Sequence, residues 1–192
     1  NYTLTFNRPG TNVTLYNFSD AQYSLSANQL NQRVYDLKVH TGSDVYTFAS
    51  VNLTTTYVPV NIDNYSTSLV NLTLYKILKG VAVNTTYAGN ATLNLSYSGQ
   101  FDASTSAVTE SGLTIHKCSD WNYSGRACTG SFTLYSSNHT LYAAEDRAII
   151  NTSSFSSFLV TEYTCGNNIC QTAFGETTST CSLDCSSGTT ST

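Results

Sequence analysis

The chain has 192 residues and a formal net charge of −4, and only 10% of its residues are charged. Its eight Lys and Arg residues are scattered rather than clustered, which argues against a nucleic acid partner. No stretch approaches the roughly eighteen consecutive apolar residues of a membrane span, so we expect none in this chain.

N-glycosylation sequons are the most frequent motif in the chain. Twelve of its eighteen asparagines begin an Asn-x-Ser/Thr triplet. This density predicts an extracellular or cell-surface glycoprotein, exported by a signal peptide that has been removed. The acceptor residues are Asn1, Asn12, Asn17, Asn52, Asn64, Asn71, Asn84, Asn90, Asn94, Asn122, Asn138 and Asn151.

Alternation of apolar and polar residues dominates the chain and predicts β-strands. In chain order, the predicted strands are residues 2–7, 33–40, 45–58, 70–75, 93–97, 113–117, 131–135 and 154–163. Turn signals separate them at 8–10, 41–44, 79–80, 88–90 and 98–99, with weak helical turns at 21–31 and 143–147. Many short strands separated by turns predict an all-β, immunoglobulin-like antiparallel β-sandwich, in one large or two small modules.

The composition changes along the chain predict four parts. They are an N-terminal strand (1–10), a β-sandwich region with a sub-boundary near residue 88 (11–164), a Cys-rich knot (165–185) and a Ser/Thr linker (186–192).

The first predicted strand places Tyr2, Leu4 and Phe6 on one face, and the turn at 8–10 separates it from the rest. Two roles fit this segment equally well. It can be the first strand of its own sandwich, or a donor strand that completes the sheet of a neighbouring subunit.

The sequons match the strand period. In a strand, the Asn and the Ser/Thr of a sequon share one face and the middle residue points to the other. That middle residue is apolar or aromatic in nine of the twelve sequons. We therefore expect strands whose inner face is core and whose outer face carries sugar.

Three sequons have a tyrosine four residues after the asparagine, at Tyr16, Tyr75 and Tyr142. Such a ring can pack on the first sugar. The alternative is plain strand propensity, since Tyr and Thr both favour sheets.

The six cysteines are Cys118, Cys128, Cys165, Cys170, Cys181 and Cys185. An even number in an exported chain predicts three disulfides. Cys118 and Cys128 are close enough to staple a hairpin. The other four allow three pairings, and the spacing does not choose among them.

Residues capable of catalysis or metal binding are sparse. His40, His116 and His139 are far apart in sequence and lack a zinc-binding pattern. We therefore expect no enzymatic activity and no cofactor other than N-linked glycan. The tail cysteines favour disulfides over zinc, and Glu176 with Asp184 makes only a weak candidate for calcium. Trp121 suits packing against the hairpin disulfide better than carbohydrate stacking.

Several short pieces carry a family resemblance. They are residues 113–115 (Leu-Thr-Ile), 121–124 (Trp-Asn-Tyr-Ser), 131–134 (Ser-Phe-Thr-Leu) and 153–158 (Ser-Ser-Phe-Ser-Ser-Phe), followed by the Cys-rich tail with Gly175-Glu176 and Asp184-Cys185. The segment 91–163 resembles the closing strands of β-sandwich modules in archaeal secreted and surface proteins, and the tail resembles a Cys-rich motif of the same proteins. The overall character is similar to archaeal threads and bundling pili, in which an N-terminal strand completes the next subunit's sheet. The resemblance implies a surface location and a structural role, and it does not cover residues 1–90.

Together these features predict a structural subunit of an extracellular, N-glycosylated filament or surface layer. Its main partner would be other copies of itself, as a homopolymer, with other cells or surfaces as further partners. The alternative is an adhesin or receptor ectodomain that binds a carbohydrate or protein. The sequon-free region 98–117 is its candidate recognition patch, although the same region suits a subunit contact.

Overall fold

A computed structural model of the chain describes residues 2–10, 14–19, 34–52, 60–98, 112–136, 138–166 and 168–186. These residues contain fourteen β-strands and short 3-10 turns, and none of them lies in an α-helix. The strands are β1 (Tyr2–Asn7), β2 (Thr14–Ser19), β3 (Val34–Thr41), β4 (Asp44–Asn52), β5 (Val60–Tyr65), β6 (Tyr75–Thr85), β7 (Ala91–Ser96), β8 (Leu113–Cys118), β9 (Trp121–Asn122), β10 (Ala127–Cys128), β11 (Phe132–Leu134), β12 (His139–Tyr142), β13 (Arg147–Thr152) and β14 (Ser157–Tyr163).

The predicted fold class is confirmed. The main sheets have seven and five strands, their registered strand pairs are antiparallel, and the chain ends in a disulfide cluster, an arrangement consistent with a β-sandwich. Two compact units interleave along the chain. Unit 1 contains Asn1–Ile62, Val83–Ser96 and Ser137–Phe155, and unit 2 contains Asp63–Ala82, Tyr97–Ser136 and Ser156–Thr192. The predicted sub-boundary near residue 88 therefore falls within unit 1.

Unit 1 is built on the seven-stranded sheet, in the order β12-β13-β7-β4-β3-β1-β2. Period-two alternation creates its core, since alternate residues of a strand point to the same face. Tyr35, Leu37 and Val39 of β3 are buried, and so are Tyr46 and Phe48 of β4. Burial of these large side chains, at about 1.5–3 kcal/mol each, is the main favourable term for this unit.

Unit 2 holds most of the five-stranded sheet, in the order β11-β8-β14-β6-β5, together with the small β9–β10 hairpin. Residues 60–62 of β5 and 83–85 of β6 belong to unit 1. Six of the seven residues of β14 are buried, so this strand is covered on both faces. One core cluster consists of Tyr65, Ala82, Cys118, Trp121 and Leu159. The Tyr65 and Trp121 rings are stacked, with their centroids 4.7 Å apart.

The predicted turn at residues 79–80 is wrong, because Gly80 lies inside β6. A glycine within a strand often marks a close approach by another group. Here a Cβ added to Gly80 would lie 2.5 Å from a ring carbon of Tyr65. The missing side chain makes room for an aromatic ring instead of making a turn.

The predicted strand 70–75 is also wrong, because β6 begins only at Tyr75. Leu74 has a left-handed backbone, with φ of 66°, and this conformation interrupts the alternation. Hydrogen bonds to other parts of unit 2 hold it there. Leu74 N–H donates to the Phe174 carbonyl at 2.7 Å, and the Leu74 carbonyl accepts from Thr164 N–H at 3.0 Å.

Gly80→Ala tests the close approach of the Tyr65 ring. We expect it to lower the free energy of unfolding by about 1–3 kcal/mol, because the new methyl group overpacks a buried site. Denaturant unfolding followed by fluorescence measures the change. The control is Gly125→Ala at the exposed hairpin turn, where the nearest atom to a new Cβ is 3.3 Å away. Equal stability of the two variants would show that the ring does not lie on Gly80.

Candidate functional site

The described sequons show the burial pattern expected of strands, although those at Asn71 and Asn122 extend into turns. All three residues are described in eight of them, and in each the middle residue is more buried than the Asn and the Ser/Thr beside it. Tyr65, Ala91, Leu95 and Thr152 are fully buried in this middle position. The expectation that middle residues point into the protein is therefore confirmed for these eight, and seven of their acceptor asparagines are exposed.

Most acceptor asparagines with described side chains are accessible. Asn94 is half-buried, Asn17 lies in β2, and Asn1 and Asn12 lie outside the described residues. The side chains of the other eight are exposed. They are Asn52, Asn64, Asn71, Asn84, Asn90, Asn122, Asn138 and Asn151.

Three acceptor side chains are oriented through their carbonyl oxygen. Asn94 Oδ1 accepts from Arg147 Nε at 2.8 Å, and Asn151 Oδ1 accepts from Thr92 Oγ1 at 2.7 Å. Asn122 Oδ1 accepts from Gly125 N–H at 2.9 Å. Because N-linked sugar attaches to Nδ2, these hydrogen bonds are compatible with modification. Sequence reasoning missed Arg147, since its partner is 53 residues away and no local pattern joins them.

Strand β1 lies within the sheet of its own chain. It pairs with β3 from Tyr2↔Thr41 to Asn7↔Asp36, and with β2 on its other side. Leu4 is half-buried, and Phe6 is only 3% exposed and packs edge-to-face on Tyr35 with centroids 5.6 Å apart. In this chain the segment is a strand of its own sheet. It pairs with its two neighbours as a donor strand would pair with the sheet of another subunit.

The turn after β1 is anchored to β3. Gly10 has a left-handed φ of 69°, and its N–H donates to Asp36 Oδ2 at 2.8 Å. The other oxygen, Asp36 Oδ1, accepts from Ser50 N–H at 2.7 Å. One carboxylate therefore holds both the turn that follows β1 and the end of β4.

The three sequon tyrosines differ in their surroundings. Tyr142 is 42% exposed and follows the exposed Thr140 in strand alternation, whereas Asn138 lies just outside β12 and has a left-handed backbone, with φ of 55°. Tyr75 instead packs edge-to-face on His116 with centroids 4.6 Å apart, because Leu74 interrupts the alternation. The structure does not describe the side chain of Tyr16.

The predicted Cys118–Cys128 disulfide is present, and it joins the end of β8 to β10 and closes the segment that contains the β9–β10 hairpin. Trp121 is 5% exposed and lies between the rings of Tyr65 and Phe132, so its environment is packing and not a sugar-binding platform. Arg126 makes two hydrogen bonds to the Asp63 carboxylate, at 2.8 and 2.9 Å, which tie the hairpin to β5. Such an exposed ion pair contributes at most about 1 kcal/mol.

The C-terminal knot contains two interleaved disulfides, Cys165–Cys181 and Cys170–Cys185. A buried carboxylate lies against each. Asp184 accepts from Gly166 N–H at 2.5 Å and from Asn168 N–H at 2.8 Å. Glu176, fully buried, accepts from Gln171 N–H at 2.7 Å through Oε2.

The knot suits calcium poorly. Glu176 Oε1 is buried without a hydrogen-bond partner among the described residues, and the ligand-type atoms grouped with it are the sulfurs of Cys170 and Cys185. Both sulfurs belong to a disulfide, whereas Ca²⁺ takes six to eight oxygen ligands. The carboxylates act here as acceptors for backbone N–H groups.

The three histidines lie on different strands. His40 is on β3 and His139 on β12, four strand spacings apart in the unit 1 sheet, or roughly 19 Å. His116, on β8 of unit 2, is 6% exposed, with Nδ1 3.0 Å from Thr161 Oγ1. Burial lowers the pKa of its imidazole.

The candidate recognition patch at 98–117 is described only at Ser98 and from residue 112 onward. Leu113 and Ile115 are buried in β8, which lies between β11 and β14. The described part of the region is therefore mostly an interior strand of the sheet with buried side chains. Residues 99–111 lie outside the described residues.

Comparisons with known proteins give no relative. No family model, curated protein or solved structure matches the chain. Among the described residues, no helix has the length and apolar character of a membrane span.

Because His116 is buried, we expect the protein to lose stability in mild acid. Its pKa is lower in the folded protein than the roughly 6.5 of an unfolded chain, so the unfolded state binds the proton first as pH falls. Stability is then constant above about pH 6.5 and decreases below it, by at most about 1.4 kcal/mol per pH unit from this group. The His116→Gln variant should not show this loss of stability when its unfolding midpoint is measured from pH 7.5 to 5. His40→Gln, at a half-exposed position, is the control and should keep it.

Proposed function

We propose that this chain is a structural subunit of an extracellular, N-glycosylated filament or surface layer, in which copies join by β-strand complementation. The observation that carries the proposal is the orientation of the sequons. Eight acceptor asparagines are exposed, while the middle residues of the eight fully described sequons turn into the protein. A sugar coat attached in this way leaves the core intact.

The disulfides support an exported location. All six cysteines are paired, and three disulfides are typical of proteins in an oxidising environment. With 10% charged residues, solubility depends on hydroxyl and amide groups and on attached sugar. A durable exterior needs these properties. Catalysis, in contrast, needs converging acid, base or nucleophilic groups, and the three histidines lie on separate strands.

Strand β1 supports the mode of assembly. Its pairing with both β3 and β2 is made by main-chain hydrogen bonds, and Phe6 supplies a buried anchor. If β1 of one copy replaced β1 of the next, the same ladder and the same pocket would be reused. Exchange of an identical element costs little, because the contacts are conserved.

Glycopeptide mass spectrometry of the native protein tests the sugar coat. We expect modification at the eight exposed acceptors, which project away from the core. Asn94, half-buried and bonded to Arg147, should have the lowest occupancy among the described acceptors. Largely unmodified exposed sequons would remove the basis for a sugar-coated exterior.

Cysteine pairs test strand exchange directly. Thr3 and His40 are register partners of β1 and β3. Thr3→Cys protein mixed with His40→Cys protein should give a disulfide-linked heterodimer on a non-reducing gel once filaments form. Val45→Cys is the matched control. Val45 of β4 is the register partner of His40, so it lies one strand farther from Thr3 and should form no disulfide with Thr3→Cys.

Electron microscopy of the same samples, beside a chain lacking residues 1–7, connects the cross-link to assembly. The truncated chain should form no filaments. Filaments without a Thr3–His40 cross-link would rule out strand exchange through β1. Dispersed particles in every sample would rule out the polymer itself.

A further inference from the structure

The sugar acceptors divide the edge strands of the two sheets into two kinds. The sheet orders end in β12 and β2 for the seven-stranded sheet, and in β11 and β5 for the five-stranded sheet. Asn17 lies within β2, Asn64 lies within β5, and Asn138 directly precedes β12. Strand β11 contains no acceptor, and the nearest one along the chain, Asn138, follows Leu134 by four residues.

Strand β11 also lacks the usual protection of an exposed edge. Edge strands commonly avoid association through charged residues, proline or a bulge. The segment 131–136 has the sequence Ser-Phe-Thr-Leu-Tyr-Ser, and β11 pairs with β8 in continuous register. Thr133 is exposed, and Leu134 is 56% exposed although it is aliphatic.

The β8 ladder determines which peptide groups of β11 face outward. Ser119 N–H donates to the Ser131 carbonyl at 3.0 Å, and Tyr135 N–H donates to the Ile115 carbonyl at 2.7 Å. In an antiparallel pair, alternate residues direct both peptide groups to the same side. Residues 131, 133 and 135 therefore bond to β8, while the peptide groups of Phe132 and Leu134 are directed to the outer side.

We propose that β11 is a self-association edge, which pairs antiparallel with β11 of a second copy about Thr133. The outward residues, Phe132 and Leu134, are placed symmetrically on either side of Thr133. A two-fold axis at Thr133 therefore sets Phe132 of one copy opposite Leu134 of the other, and four main-chain hydrogen bonds form. The pairing joins two apolar side chains at each end and brings together no charges or sequons. This contact uses a different strand from the exchange through β1, and it rests on the proposed function because it needs an assembly of many copies to be effective.

The contact is weak for an isolated pair of molecules. A strand of three residues buries far less than the roughly 1,200 Å² of a stable interface. In an assembly with many copies, the same contact is repeated and its effective concentration is high. We therefore expect it to join assembled subunits side by side rather than to hold a free dimer.

Cysteine cross-linking at Thr133 tests the register. In the proposed pair, Thr133 faces its own counterpart at a non-hydrogen-bonded position, with Cα atoms about 4.5 Å apart. That distance suits a disulfide. Ser131, on the same edge, would lie roughly 14 Å from its counterpart. Under mild oxidation of the full-length glycosylated chain, Thr133→Cys should form a covalent dimer, whereas Ser131→Cys should remain monomeric.

A proline substitution tests the hydrogen bonds. Leu134→Pro removes an outward N–H and spares the ladder to β8, a position where a sheet edge tolerates proline. Added to the Thr133→Cys chain, it should reduce the cross-linking rate roughly tenfold, since both symmetry-related N–H donors are lost. Leu134→Ala keeps the N–H and should retain more of the rate. Circular dichroism checks that each variant folds.

Two outcomes would overturn the proposal. Equal cross-linking at positions 131 and 133 would indicate random collision. If Thr133→Cys chains form filaments but no covalent dimer, then β11 does not pair with β11 of a second copy. Because the Thr3–His40 experiment uses unit 1 alone, its result and this one can fail separately.

Discussion

The two-residue period of a β-strand links the sequons to the core in this protein. A sequon spans three residues, so burying its middle side chain turns both flanking residues outward. Leu95 shows the effect most directly, because it is fully buried between Asn94 and Ser96 in an interior strand of the unit 1 sheet. The hydrophobic burial that stabilises the strand also presents the acceptor. A shift of one residue in register would bury the asparagine and expose the leucine, so the core and the exposure of the sequon acceptors require the same register.

The sequence predicted those features of the fold that local patterns encode. Alternation predicted β1, the sequon orientation and the all-β class, and a short spacing predicted the Cys118–Cys128 staple. The failures came from partners distant in sequence. Gly80 looked like a turn because the ring of Tyr65 that fills its space is fifteen residues away. Leu74 broke an alternating run because it bonds to Phe174 and Thr164, near the other end of the chain.

The C-terminal knot could be predicted to exist but not in its pairing. Three connectivities fit the spacing, and the structure has the interleaved one. A segment this short has few apolar residues to bury, so cross-links and buried acceptors replace a core. Asp184 and Glu176 accept backbone N–H groups of loops that have no sheet partner. The carboxylates that suggested a weak metal site in the sequence accept hydrogen bonds from the backbone.

A subunit made of open sheets must keep some edges inert while it leaves others able to pair. Charged residues usually serve this purpose, but this chain has few of them. A glycan is a good substitute, because even one sugar is larger than the 4.8 Å between neighbouring strands and stays hydrated at any ionic strength. The acceptors at β2, β5 and β12 would then do more than solubilise the surface, since they would restrict association to edges that lack sugar. Under the proposed function, extensive glycosylation and ordered self-assembly are compatible in one chain, because the position of each sequon relative to the sheet edges determines which contacts remain available.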